Sequence, residues 1–393
     1  TNKSLIDNVT VGGGGTVEFN GWAGVASNIK YVGGAQSAFS ISNGGNNSNK
    51  IYNLTIIGSS ATSYMISIGN SVTANVFDNV TIITTGSGIQ IGNPTNNTFN
   101  NLFISAGVKG IELIFNGNNN FNNVTINNSA YGIFLTGTAS TSLNTNNFTN
   151  VFINNSIKDA IMLGGQGTMA NNSFVNVTVM NTNVSRYDLL INFSSVNETR
   201  FEDFYIMNYS FVGTGGSYLF KNSSTGMIKF LVTSVNGTGI NLTNDVRIGN
   251  NSATVVSGNN NGLNKTARIT LYGLKTNYSN PQIYRDNTQC PAGVCANSTS
   301  LNAGTVVFNV TGWSNYSVQD AAAASNSAPF NSSALYFNSS VGNNQTLENF
   351  TVTARLIDPD GNSMNLTLYW FNQSATYSAK NYNNNYANNT VVH

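Results

Sequence analysis

Between residues 75 and 206 the chain repeats one short phrase of apolar and polar positions. NVFDNVTI begins at Asn75, NTFNNLFI at Asn97, NNFNNVTI at Asn119, NNFTNVFI at Asn146, NSFVNVTV at Asn172 and TRFEDFYI at Thr199. Their phenylalanines, Phe77, Phe99, Phe121, Phe148, Phe174 and Phe201, are spaced by 22, 22, 27, 26 and 27 residues. Upstream, KIYNLTII carries Ile51 at the Phe position, and SNIKYV and DNVTVG are weaker forms of the phrase. A second apolar run follows each of the five phrases from Asn75 to Asn172: GIQI at Gly88, GIEL at Gly110, GIFL at Gly132, AIML at Ala160 and DLLI at Asp188. Apolar residues alternate in these runs, as a strand with one buried face requires. Gly- and Asn-rich turns separate the runs, and no helical period competes.

A unit of 22–27 residues built only of short strands and turns predicts an all-β fold. The expectation is a right-handed parallel β-helix of about eight or nine coils over residues 1–225. Leucine-rich repeats share the period but need an L-x-x-L-x-L frame that is missing. Equivalent residues of successive coils then stack about 4.8 Å apart. The phenylalanines become an interior column. Two residues later, Asn53, Asn79, Asn101, Asn123, Asn150, Asn176 and Asp203 become a turn ladder, bonded side chain to side chain and expected to be buried. Beyond the repeat, KFLVTSV, VRIGNNSATVV, ARITLYGL and TVVFNVTGWSNYSV read as antiparallel strands of a β-sandwich over 226–320. AAAASNSAP marks a linker at 321–330. Residues 331–393 read as an immunoglobulin- or cadherin-like module, with strands at Phe350 and Leu366 and Trp370 as its core anchor.

Composition changes this picture. Charged residues are 8% of the 393, with a formal net charge of +1, against about 25% in an average domain. No basic stripe supports nucleic-acid binding or a polybasic membrane contact. No apolar run is long enough to span a membrane. Asparagine, about 70 residues, takes the place of charge. The pattern N-x-S/T occurs 32 times between Asn2 and Asn388, about twice what composition alone gives. It marks N-glycosylation acceptors. Ladder positions Asn53, Asn79, Asn123 and Asn176 lie in such tripeptides but are expected to be shielded. Loop asparagines Asn46, Asn96, Asn127, Asn154, Asn171, Asn183, Asn208, Asn222, Asn236, Asn297 and Asn338 are the expected carriers. No basic-then-apolar leader opens the chain. Thr1 is read as following a removed signal or as lying inside a longer precursor, and NYNNNYANNTVVH as continuing natively.

The only cysteines, Cys290 and Cys295 in CPAGVC, suit a small disulfide-closed loop and an oxidising compartment. Two free thiols are the alternative. Asp358, Asp360 and Asn362 in DPDGN place oxygens at alternating positions before a glycine. That is a calcium-like pattern without the distal Glu of an EF-hand, and a plain Asx turn competes with it. Gly12–Gly15 lacks the Lys of a phosphate loop and reads as a turn. His393 is the only histidine, which removes Ser/His/Asp chemistry and a histidine metal site. Glu112 is alone in its series, where other coils have Gln90, Phe134, Met162 and Leu190. Asp78 aligns with Asn100, Asn122, Thr149 and Val175. Glu198, Arg200, Glu202 and Asp203 cluster on the last coil, where a polar cap ending the stack is expected before a catalytic pair.

The N-x-F-x-N phrases resemble pectin-lyase-like right-handed β-helix proteins. ARITLYGL, RDNTQCPAGVC and VVFNVTGWSNYSV look like a module of large secreted archaeal surface proteins, and DPDGN is similar to their Ig-like repeats. The resemblance implies a secreted archaeal surface protein; with the N-x-S/T tripeptides and the low charge, the chain reads as a structural, N-glycosylated cell-surface protein that self-associates into a surface layer or filament. No cofactor is expected apart from covalent glycan and the calcium alternative. An adhesin, with Tyr205, Tyr209 and Tyr218 as exposed platforms, is one rival reading. A polysaccharide lyase or glycoside hydrolase is the other.

Overall fold

The structure is a computed structural model. It describes residues 4–20, 24–34, 37–42, 48–69, 72–93, 96–114, 117–137, 142–212, 216–232, 234–258, 260–321, 326–331, 336–339, 350–372 and 375–392. The fold is nearly all-β, a parallel β-solenoid of about 7 turns followed by antiparallel sheets. The eight or nine coils expected are thus too many. Past Asn222 the chain stops returning in parallel and turns back on itself.

Each coil holds two principal strands, such as Val76–Thr84 and Ser87–Ile91, then Thr98–Ala106 and Lys109–Leu113. Every strand pairs in parallel with its equivalent one coil away and without slip from residue 76 to 135. Strand Asn120–Asn127 shows why the phrase has its form. Phe121, Val124 and Ile126 point inward while Asn123 is exposed. Strict alternation would send Val124 outward. Asn123 adopts φ 55°, a left-handed corner that lets Phe121 and Val124 both face the core. Asparagine reaches this conformation far more readily than a branched residue.

Register turns the repeat into columns. Ring centroids of Phe77, Phe99, Phe121 and Phe148 follow one another at 4.7, 4.8 and 4.7 Å, within 8° of parallel. Phe174 and Phe201 continue at 5.0 and 5.2 Å. Leu54, Val80, Leu102, Val124 and Val151 form the next column. Coil length changes without disturbing either. The 27-residue step from Phe121 to Phe148 accommodates an added strand, Ser142–Asn144, paired with Thr168–Ala170.

The stack does not end in a polar cap. Gly216–Asn222 adds one more parallel rung, placing Phe220 5.8 Å from Phe201. Gly226–Phe230 pairs antiparallel with that rung, then come Ala267–Leu271 and Val306–Val310. Phe230 meets Phe220 edge-on, and Trp313 packs on Phe230. The open edge is closed by apolar antiparallel strands, because a rung with unpaired backbone needs pairing more than it needs charge. A five-stranded antiparallel sheet, including Asn315–Asp320 and Pro281–Arg285, contributes Ile283, Tyr316 and Val318 to the same core.

The chain divides into two compact units, Thr1–Ala321 and Ala322–His393. Residues 226–320 therefore share a unit and a core with the solenoid. The second unit contains antiparallel pairings of Phe350–Ile357 with its neighbours, and a hairpin of Met364–Asn372 with Ala375–Tyr386. Its buried cluster is Leu356, Met364 and Val392. Trp370, expected to anchor this core, is only half-buried. His393 lies outside the described residues.

Phe121→Ala removes a ring that contacts neighbours on both faces. It should lower unfolding free energy by about 3–5 kcal/mol in chemical denaturation, whereas Phe103→Ala, 37% exposed, should cost about 1 kcal/mol or less.

Candidate functional site

The chemistry-bearing surface is made of asparagine rows. Their geometry follows from register, and there are two principal ladders. The inner one is Asn49, Asn75, Asn97, Asn119, Asn146 and Asn172, each at most 1% exposed. Asn75 donates both its backbone N–H (3.1 Å) and Nδ2 (2.8 Å) to Asn97 Oδ1. The same pair of hydrogen bonds joins Asn49 to Asn75, Asn97 to Asn119, Asn119 to Asn146 and Asn146 to Asn172. Gly24 N donates to Asn49 at one end, and Asn172 Nδ2 donates to the Leu143 carbonyl at the other. A buried amide demands partners, and a stack of identical amides provides them.

The outer ladder is the predicted turn row, with one correction. It is bonded as expected but exposed, not buried. Nδ2 of Asn53, Asn79, Asn123, Asn150 and Asn176 donates one coil back, to Oδ1 of Asn28, Asn53, Asn101, Asn123 and Asn150, at 2.8–3.1 Å. Asn101 instead bonds the Asp78 carboxylate at 2.8 Å. The corner that turns Phe121 and Val124 inward necessarily throws Asn123 out, so burial was the wrong expectation. Asp203 ends the row, accepting from Ser223 N.

Among the expected carriers of glycan, Asn96, Asn171, Asn183, Asn236 and Asn297 are exposed. Asn127, Asn154, Asn208 and Asn222 are half-buried. Asn154 Oδ1 accepts from Asn181, and Asn222 Oδ1 accepts from the backbone N–H groups of Ser224 and Thr225. Asn46 lies outside the described residues, as does the side chain of Asn338. Cys290 and Cys295 form a disulfide, with Cα atoms 6.1 Å apart. The Pro291 carbonyl accepts from Val294 and Cys295 N–H, closing the turn. Asp358 Oδ1 accepts from Asp360 N at 2.8 Å, which is an Asx turn. Asp360 accepts from Ser327 N, and Asn362 donates to Asn326. Among the described residues no three His, Cys, Asp or Glu side chains group as a metal site.

The acidic cluster is compensated by cations. Glu202, buried, is paired with Arg200 and with Lys221 at 2.8 Å. Glu198 is paired with Lys229 at 2.5 Å. A cleft of about 910 Å³ opens beside Lys221, bordered also by Asp203 and Arg247. Of the three tyrosines named as platforms, Tyr209 and Tyr218 are buried and Tyr205 is 44% exposed. Gly12 and Gly13 finish the strand Thr10–Gly13, and Gly14 begins an exposed turn.

The chain matches no family model and no curated protein.

Two features escaped the sequence reading. The inner ladder was in view as the first letter of the phrases from Asn75 to Asn172, but nothing in one sequence separates an inward asparagine from an outward one. The other is a polar hub around Glu112, which is 4% exposed. Lys109 Nζ lies 2.5 Å from Glu112 Oε1 and 4.6 Å over the Phe134 ring. Gln90 and the Tyr64 hydroxyl donate to Glu112 Oε2. Tyr64 sits two coils before Glu112, so only the stacked register brings them together.

Burial pushes the Tyr64 hydroxyl well above its ordinary range, and the Glu112 carboxylate adds to the effect. Burial does the same to Tyr218, and to Tyr209 together with its bond to Asp245. Groups raised in the fold stabilise it fully below their unfolded value and lose that contribution as pH rises. The thermal midpoint should therefore fall once pH passes about 10, and Tyr218→Phe should flatten that fall. Asn97→Ala, which strips an acceptor from two donors of Asn75, should cost about 2–4 kcal/mol. Asn123→Gly keeps the corner at φ 55° and should cost about 1 kcal/mol or less; urea titration of both variants compares them.

Proposed function

We propose that this chain is a structural, N-glycosylated extracellular protein that assembles into a surface layer or filament. The observation carrying the reading is where acceptor asparagines fall. Asn96, Asn171, Asn183, Asn236 and Asn297 stand exposed around a core in which each coil is braced by its neighbours. A chain with 8% charged residues has little self-repulsion to oppose close contact between copies, and glycan would supply the hydration that charge does not. The disulfide fits an oxidising compartment. Right-handed winding, kinship with pectin-lyase-like proteins, Ig-like character of the second unit and an archaeal source belong to this same reading. Against an enzyme, Glu198 and Glu202, the pair considered for glycan cleavage, are each matched by a cation.

Glycopeptide mass spectrometry of native material should find sugar at Asn96, Asn171, Asn183, Asn236 and Asn297. Electron microscopy of the same material should show a lattice or fibre. Bare asparagines at all five, or dispersed single particles, would reject the proposal.

A further inference from the structure

One outward row beside the outer ladder alternates in a way that composition does not require. Two residues beyond each ladder position lie Thr55, Thr81, Phe103, Thr125, Phe152, Thr178 and Tyr205, paired in register along the solenoid. Threonine marks the coils that read Asn-x-Thr, at Asn53, Asn79, Asn123 and Asn176. The other coils read Asn101-Leu102-Phe103, Asn150-Val151-Phe152 and Asp203-Phe204-Tyr205. From Thr81 onward the two kinds take turns, so Thr125 lies between Phe103 and Phe152, and Thr178 between Phe152 and Tyr205. Phe103 is 37% and Tyr205 44% exposed, and Phe152 is half-buried. A shallow groove of about 330 Å³ runs here, lined by Asn123, Thr125, Asn150, Phe152, Asn176 and Thr178.

We propose that Asn123 and Asn176 are N-glycosylated and that their first sugar rings lie in this groove against Phe152. The inference rests on the glycoprotein reading above and extends it to positions at first expected to be shielded. The acceptor atoms are accessible, because the left-handed corner exposes both asparagines. The ladder tolerates the modification. A side-chain amide has two N–H donors, and Asn123 Nδ2 gives one to Asn101 Oδ1 while Asn176 Nδ2 gives one to Asn150 Oδ1. In the transfer, Nδ2 forms a bond to the anomeric carbon of a phosphate-activated oligosaccharide. The carbon–oxygen bond to phosphate breaks, the phosphate leaves with the electron pair, and the second amide proton is released. The remaining N–H keeps the ladder bond. The aromatic rung one step away, about 4.8 Å, then offers an electron-rich ring face to the apolar C–H face of the first sugar. Burying that face removes apolar surface from water on both partners.

The test uses the intact chain secreted from an N-glycosylating host. Glycopeptide mass spectrometry should find Asn123 and Asn176 occupied in most molecules, and Thr125→Ala and Thr178→Ala should each remove one glycan. Enzymatic deglycosylation should lower the thermal midpoint of the wild type by a few degrees, and by clearly less in Phe152→Ala, whose acceptor tripeptides are intact. Occupied Asn96 and Asn171 with bare Asn123 and Asn176 would overturn this inference and leave the glycoprotein reading standing. No sugar anywhere would overturn both. Occupied ladder sites with the same loss of midpoint in Phe152→Ala would overturn the stacking.

Discussion

The governing constraint is that parallel in-register coils place every side chain about 4.8 Å from its own equivalent. A residue type survives such a column only if it is content beside a copy of itself. Phenylalanine is, since parallel rings at 4.7–5.2 Å fill the interior continuously. Asparagine is too, because its side chain is donor and acceptor at once. A lysine or glutamate column is not. Two like charges about 4 Å apart repel by roughly 1 kcal/mol in water and several times that at a protein surface, and every rung would add to it. The scarcity of charge and the wealth of asparagine are thus one fact. Where charge does enter the solenoid, its neighbours in the column are neutral or of opposite sign, as Lys221 is beside Glu202. Asp78 lies between Tyr52 and Asn100, and Glu112 between Gln90 and Phe134.

The two ladders use the same residue for opposite ends. Inside, Asn75 and its equivalents satisfy buried backbone and side-chain groups, and their bonds run toward the C-terminal coil. Outside, Asn79 and its equivalents hold the corner at φ 52–55° and bond toward the N-terminal coil. An inner asparagine is irreplaceable because its oxygen takes two donors. An outer one is valuable first for its backbone, as the equivalent Asp203 at φ 49° shows.

That division explains what could be read from the chain. Spacing of the phenylalanines gave coil period, strand positions and the aromatic column, since each follows from one periodic pattern. The disulfide followed from two cysteines five apart. Burial of the outer row was misjudged because alternation cannot be carried through a left-handed corner, and no residue letter announces that geometry. The stack terminus was misjudged for a different reason. Glu198 to Asp203 look like a polar end, yet antiparallel pairing by Gly226–Phe230 is a non-local event. The hub joining Tyr64 to Glu112 spans 48 residues and is equally invisible to a local reading.

A surface built of identical stacked rungs is also prone to unwanted association. Uncharged parallel strands, exposed Ile57, Ile83 and Phe103 and self-complementary amides are the features that favour adhesion between sheets. Ordinary soluble proteins oppose it with charge, which the column rule restricts here. Glycan on an asparagine escapes that restriction. A neutral glycan is bulky and hydrated, so it could recur along a row without building up a like-charge penalty. On the proposed reading, sugar at Asn123 and Asn176 would shield the row where aromatic rungs lie between the acceptors, and would leave close contact between copies to the faces that carry no acceptor.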